Sequence, residues 1–240
     1  MLSFDSGAGN PWEFEEVSSS IGTNWNHALM FGPLDTRDFW TGGLAAADID
    51  QDGFVDVYVT RGDQFPGRLF RNLGNGQFEE VSADWNLVVS SGTREASYAS
   101  GAAFADVDGN GYPDLFLPGV REFGLRLYLN DGSSFTAADA SWGLAGASED
   151  HLSLSFADVN NDGRLDAAVT HWNNMLAQGG IGHLWMNQGG QFIAQGDSWG
   201  VSDAFSNGDY SFTPNFADFN GDMLPDLVIS SDFNTSQTYL

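Results

Sequence analysis

The chain has 240 residues, enough to bury a sizeable core in one or two domains. Its 33 acidic residues face only 8 basic ones, all arginine, for a formal charge of −25, a balance that repels nucleic acid and anionic membrane surfaces. The absence of cysteine excludes disulfides and thiolate metal sites, and no apolar run reaches the roughly 20 residues of a membrane-spanning helix, so no membrane insertion is expected.

Glycine is abundant and phenylalanine and tryptophan are plentiful, while helix-forming runs are scarce, which favours short strands and tight turns. In chain order, residues 12–17 read as an outer strand without a repeat of its own, and 12–43 as that strand plus a lead-in. A first repeat spans 44–87. It has a small apolar strand at 44–47, an acidic turn, a β-rich run at 55–59, a third strand at 68–72, a glycine turn, a fourth strand at 77–81 and a closing Trp85. The same order recurs at 102–144 and 154–201, closing on Trp142 and Trp199, and begins again at 214–240, where it is incomplete. Four short strands per repeat is the pattern of a propeller blade, with small residues on the crowded innermost strand. The fourth-strand phenylalanine and the closing tryptophan are expected to pack between blades. The ends leave two readings open. The chain is a piece of a longer propeller, or its first strand completes the last blade and closes a four-bladed ring.

The acidic turns carry the chemistry. They begin at Asp48, Asp106, Asp158 and Asp218, which lie 58, 52 and 60 residues apart. Each offers oxygen side chains at positions 1, 3, 5 and 9. These are Asp48, Asp50, Asp52 and Asp56; Asp106, Asp108, Asn110 and Asp114; Asp158, Asn160, Asp162 and Asp166; and Asp218, Asn220, Asp222 and Asp226. The position-7 carbonyls of Phe54, Tyr112, Arg164 and Leu224 are expected to complete each set. Ligands drawn only from oxygen suit Ca²⁺, up to four ions in all, and suit zinc or copper poorly. The turns are not EF-hands, because the first has Val59 where position 12 requires a bidentate glutamate. The first loop, with four aspartates, is expected to bind most tightly. The fourth, with Met223 where glycine is expected, should bind most weakly unless Gly221 lets the loop take another path.

These loops, set in Phe156–Asp166 and its counterparts, resemble the FG-GAP/VCBS repeats of integrin-α-like β-propellers. The longer runs at 42–53 and 68–81 look most like the cartilage acidic protein and ASPIC/UnbV group. The resemblance implies an all-β propeller, usually seven-bladed, that binds calcium and is secreted or surface-exposed. It implies no single activity.

Other signals are weaker. Arg61, Gly62 and Asp63 spell an adhesion tripeptide, and Asn234 heads a glycosylation sequon. An acidic residue followed by Trp40, Tyr98, His151 or Tyr210 precedes each inner strand, and these four are candidate ligand-binding residues near the axis, on the face opposite the metal loops. The four histidines occur in dissimilar contexts, and no nucleophile motif or phosphate loop is recognisable. The reading is a calcium-stabilised extracellular binding or adhesion scaffold for a protein or glycan, without catalysis of its own. A lectin-like propeller and a polysaccharide-acting enzyme are the alternatives. An exported chain would need a leader, and the opening Met1 to Asp5 does not resemble one.

Overall fold

The computed structural model describes residues 15–24, 42–60, 67–87, 99–120, 123–144, 150–172, 183–201, 210–232 and 236–240. After a one-turn helix α1 (Ser18–Ile21), the described elements of the repeats are strands and tight turns, apart from one 3-10 turn at Gly196–Trp199. Sheet one comprises β1 (Leu44–Ala47), β2 (Asp56–Val59), β3 (Arg68–Asn72) and β4 (Phe78–Glu80). Sheet two comprises β5 (Ala103–Ala105), β6 (Asp114–Pro118), β7 (Leu125–Asn130) and β8 (Phe135–Ala137). Sheet three comprises β9 (His151–Ala157), β10 (Asp166–His171), β11 (Leu184–Asn187) and β12 (Phe192–Ala194). Sheet four has three strands, β13 (Ser211–Ala217), β14 (Asp226–Ser231) and β15 (Gln237–Tyr239). Each sheet is an antiparallel meander in sequence order. This is the propeller expected from the repeat. The residues 15–17 of the expected orphan strand are not in a strand.

The first strands lie side by side, β1 against β5, β5 against β9, and β9 against β13. That order places them at the axis. The approach is close: a Cβ on Gly43 would sit 2.9 Å from the Cα of Gly101, so glycine is needed there. Hydroxyls stitch the heads of neighbouring sheets together. Ser100 Oγ donates to the carbonyl of His151 at 2.6 Å, and Thr170 Oγ1 donates to that of Phe212 at 2.8 Å.

The second strands are covered on both faces by adjacent sheets, so β6 and β10 are buried throughout and read as continuous rather than alternating apolar runs. The core is accordingly a series of inter-sheet layers. Trp85 of the first sheet packs on Phe135 of the second at 5.8 Å between ring centroids, and Trp142 of the second packs on Phe192 of the third at 5.7 Å. The backbone repeats the link, since the N–H of Phe135 donates to Trp85 O and that of Phe192 to Trp142 O. Trp199 departs from the expectation. It is 46% exposed, whereas Trp85 and Trp142 are buried.

A second inter-sheet tie comes from the asparagine that ends each third strand. Asn130 Nδ2 donates to Ile49 O of the preceding sheet's loop at 2.9 Å, and Asn187 Nδ2 to Val107 O at 2.8 Å. Among the described residues, Asn72 Nδ2 bonds within its own sheet, to Val55 O at 3.2 Å. Replacing Asn130 by alanine strands the buried carbonyl of Ile49 and the partly buried one of Pro113. It should cost about 2–3 kcal/mol, against about 1 kcal/mol for Asn72→Ala. Denaturant midpoints of the two variants check this, and equal losses would show that the bond across the sheets contributes nothing extra.

Candidate metal centres

Each acidic loop joins the first strand of a sheet to the second, and all four follow one backbone path. Position 4 has a positive φ in every copy, at 59° for Gln51, 77° for Gly109, 57° for Asn161 and 82° for Gly221. Position 6 does too, at 88° for Gly53, 97° for Gly111, 85° for Gly163 and 69° for Met223. Gly221 therefore offers no alternative route. Met223 takes the left-handed conformation itself, at about 1–2 kcal/mol, with its side chain in solvent.

The position-1 aspartate folds inward and accepts backbone N–H groups with both oxygens. Asp48 takes those of Asp52 and Gly53 at 3.0 and 2.9 Å, and Asp158 those of Asp162 and Gly163 at 2.9 and 2.8 Å. The position-9 aspartate starts the second strand and is buried in all four sheets. Its Oδ2 accepts the N–H of loop position 2, from Ile49, Val107, Val159 and Phe219. In the first three sheets its Oδ1 accepts the backbone N–H of the third-strand asparagine, Asn72, Asn130 or Asn187, each at 2.8 Å.

Positions 1, 3 and 9 are the ones that converge. Carboxylate oxygens of Asp48, Asp50 and Asp56 lie within 4.8 Å of one another, as do those of Asp106, Asp108 and Asp114. In the other two loops position 3 is Asn160 or Asn220, whose amide instead donates to the position-5 carboxylate of Asp162 or Asp222. The position-5 side chains Asp52, Asn110, Asp162 and Asp222 use Oδ1 to accept the N–H of position 7. At position 7 the Phe54 ring lies where a Cβ on Gly74 would be, and the Tyr112 ring does the same over Gly132. Asp166, Asp218 and Asp226 belong to the same frame in loops three and four. The donors are carboxylate, amide and carbonyl oxygens, which fit a hard divalent cation and not a thiophilic one.

Electrostatics agree with that donor chemistry. Burial, partly offset by backbone N–H groups and reinforced by the neighbouring carboxylates, pushes Asp114 up to about 7. Asp56 and Asp166 move in the same direction, again chiefly through burial.

Three contacts were not legible from the loops alone. Arg71 of β3 places Nε 2.7 Å from Asp50 Oδ2 and Nη2 3.0 Å from Asp52 Oδ2. The side chain of Arg164 bonds Asp162 and the carbonyl of Asn187, beyond the carbonyl role expected of it. The asparagine clamp had one sequence signal: Asn72 and Asn130 each stand 16 residues after their aspartate.

Of the four proposed ligand-facing residues, Trp40 and Tyr98 lie outside the described residues, as do Arg61 to Asp63 and Asn234. His151 is fully buried. Its ring is 4.8 Å from that of His171, which is 5.2 Å from that of His183, so three histidines dispersed in sequence form one row inside sheet three. Tyr210 stands edge-on to Trp172 at 5.1 Å. His151 and Tyr210 are thus part of the packing of sheets three and four. Near the axis, the heads of all four first strands line a cavity of about 380 Å³, with Gly43, Ser100, Gly101, Ser153, Phe212 and Thr213 among its walls.

Residues 48–117 and 121–169 match the family described as FG-GAP-like repeat. The chain carries FG-GAP-like repeats. The two matched segments hold the first three acidic loops, and the fourth lies outside them. No curated protein matches the chain. Among solved structures, that of an Agrocybe aegerita lectin, described by its specific recognition of non-reducing terminal N-acetylglucosamine, is similar with a TM-score of 0.46 and 19% identity. The similarity covers 82% of this chain and 48% of that one. This chain thus spans about half the length of the lectin, and a similarity at that level carries no argument about function.

The raised carboxyls of Asp56, Asp114 and Asp166 give the first three loops, without metal, a defined pH response. A carboxyl whose folded value lies above its unfolded value stabilises most when protonated, so stability falls as pH rises from about 4 to about 7. In chelator, the slope of unfolding free energy against pH over that window should flatten in Asp114→Asn, as read by denaturant titrations at each pH. An unchanged slope would show that Asp114 titrates as an ordinary carboxyl.

Proposed function

We propose that this protein is a calcium-stabilised binding scaffold of the extracellular space, with no catalysis of its own. The observation that carries the reading is the convergence of carboxylates at positions 1, 3 and 9 in the first two loops, on a frame repeated in every described sheet. Asp48, Asp50 and Asp56 would hold one ion, and Asp106, Asp108 and Asp114 a second. Asn160 and Asn220 leave loops three and four with fewer converging charges. The bound ion supplies positive charge where buried carboxylates otherwise repel, and so fixes the turn between first and second strands. Extracellular calcium near the millimolar range matches the affinity of such exposed, preformed loops.

The partner is a protein or a glycan. A specific feature favours keeping the glycan reading beside the protein one: the axial cavity combines the hydroxyl residues Ser100, Ser153 and Thr213 with apolar Leu44, Leu152 and Phe212, a mixture that suits hydroxyl recognition against an apolar and aromatic surface. A glycan array on the intact chain and on Phe212→Ala would show loss of signal in the variant if sugar sits there.

The calcium reading is checked by thermal melts in calcium and in chelator, with bound metal counted by native mass spectrometry. At dissociation constants of ~10⁻⁴–10⁻³ M, ~10 mM calcium stabilises by roughly 1.4–2.7 kcal/mol per site. Two sites should then raise Tm by roughly 6–20 °C. No bound ion and no shift would remove the metal from the proposal.

A further inference from the structure

The first loop differs from the others in one respect that the repeat does not require. It has four aspartates where each of the others has three, and it alone meets an arginine from the third strand. Immediately before the shared asparagine, the position of Arg71 is held by Leu129 in the second sheet and Met186 in the third, both apolar. Arg71 therefore comes with the extra charge of the first loop and sits on it. Its Nε meets Asp50 Oδ2 at 2.7 Å and its Nη2 meets Asp52 Oδ2 at 3.0 Å. Asp50 is one of the three converging carboxylates, and its other oxygen already accepts the N–H of Asp52 at 3.2 Å. In the second loop the corresponding Asp108 accepts the backbone N–H of Asn110 at 3.0 Å and its neutral side-chain amide at 3.2 Å, with no arginine against it among the described residues.

Resting on the calcium reading above, we propose that Arg71 is a built-in competitor for the cation of the first loop, holding that site no tighter than the second despite its additional aspartate. The guanidinium cancels the charge of the fourth aspartate and occupies an oxygen of a converging ligand. A divalent ion must displace it from Asp50 or bind with one ligand oxygen fewer. Arg71 is partly exposed, so it can swing into solvent when the ion enters. The loop thereby exchanges one cation for another, keeping its carboxylates screened when calcium is low. This removes the advantage of the first site expected from aspartate count alone.

The test titrates calcium into the 240-residue chain by calorimetry, with stoichiometry from native mass spectrometry. The proteins compared are the wild type, Arg71→Leu (which places the second sheet's residue there), Arg71→Gln and the double variant Arg71→Leu with Asp48→Asn. The proposal expects one site to tighten about tenfold or more in Arg71→Leu and in Arg71→Gln, and that gain to vanish in the double variant. Arg71→Gln keeps the length of the side chain, so it answers the question if Arg71→Leu misfolds. Unchanged or weaker binding in both single variants, while the wild type still binds calcium, would overturn the proposal and leave the calcium reading intact. Absence of calcium from every variant would overturn both.

Discussion

The buried position-9 aspartate is the constraint on which the rest depends. It sits at the first residue of the second strand in every described sheet, and its two oxygens are spoken for in different directions. One accepts an N–H from the loop before it. The other, in the first three sheets, accepts an N–H from the asparagine at the end of the third strand. That asparagine then reaches its side chain to the loop of the preceding sheet in two of the three cases. One carboxylate therefore fixes the turn, the strand register and, through one more hydrogen bond, the spacing of neighbouring sheets. Burying a charge this way is expensive unless it is hydrogen-bonded or neutralised. The backbone supplies the first remedy, and under the proposed function a cation would supply the second.

The loops divide that second remedy among different groups. Where a loop has four carboxylates, Arg71 lies against them. Where it has three, an asparagine amide at position 3 or 5 donates to the neighbouring carboxylate, as Asn110, Asn160 and Asn220 do. The negative charge facing the ion position is thus more even across the repeats than the count of aspartates suggests. The fourth loop bears a separate cost in Met223, whose left-handed backbone is tolerated because nothing crowds its exposed side chain.

Packing between sheets uses a different vocabulary. A tryptophan closing one sheet meets the outer-strand phenylalanine of the next, and rings at loop position 7 cover glycines in the turn between third and fourth strands. Toward the axis, Gly43 and Gly101 let the first two strands approach closely, and hydroxyls tie the strand heads together. The heads of the first strands line the open cavity, with Phe212 in its wall.

The sequence by itself determined the repeat, its strand order and the oxygen frame of the loops. These are local properties: strand period, turn chemistry and ligand spacing all lie within a dozen residues, so Asp48 to Asp56 can be read without knowing what surrounds them. It also pointed to the tryptophan and phenylalanine layers, because both recur at a constant phase. Tertiary structure alone decided which carboxylates converge, since positions 1, 3 and 9 meet while position 5 turns aside to cap the backbone. It alone brought Arg71 onto Asp50 from 21 residues away and gathered His151, His171 and His183 into one buried row. Contacts of that kind depend on how separate strands pair and how sheets face one another, and the residues involved carry no local pattern that announces them.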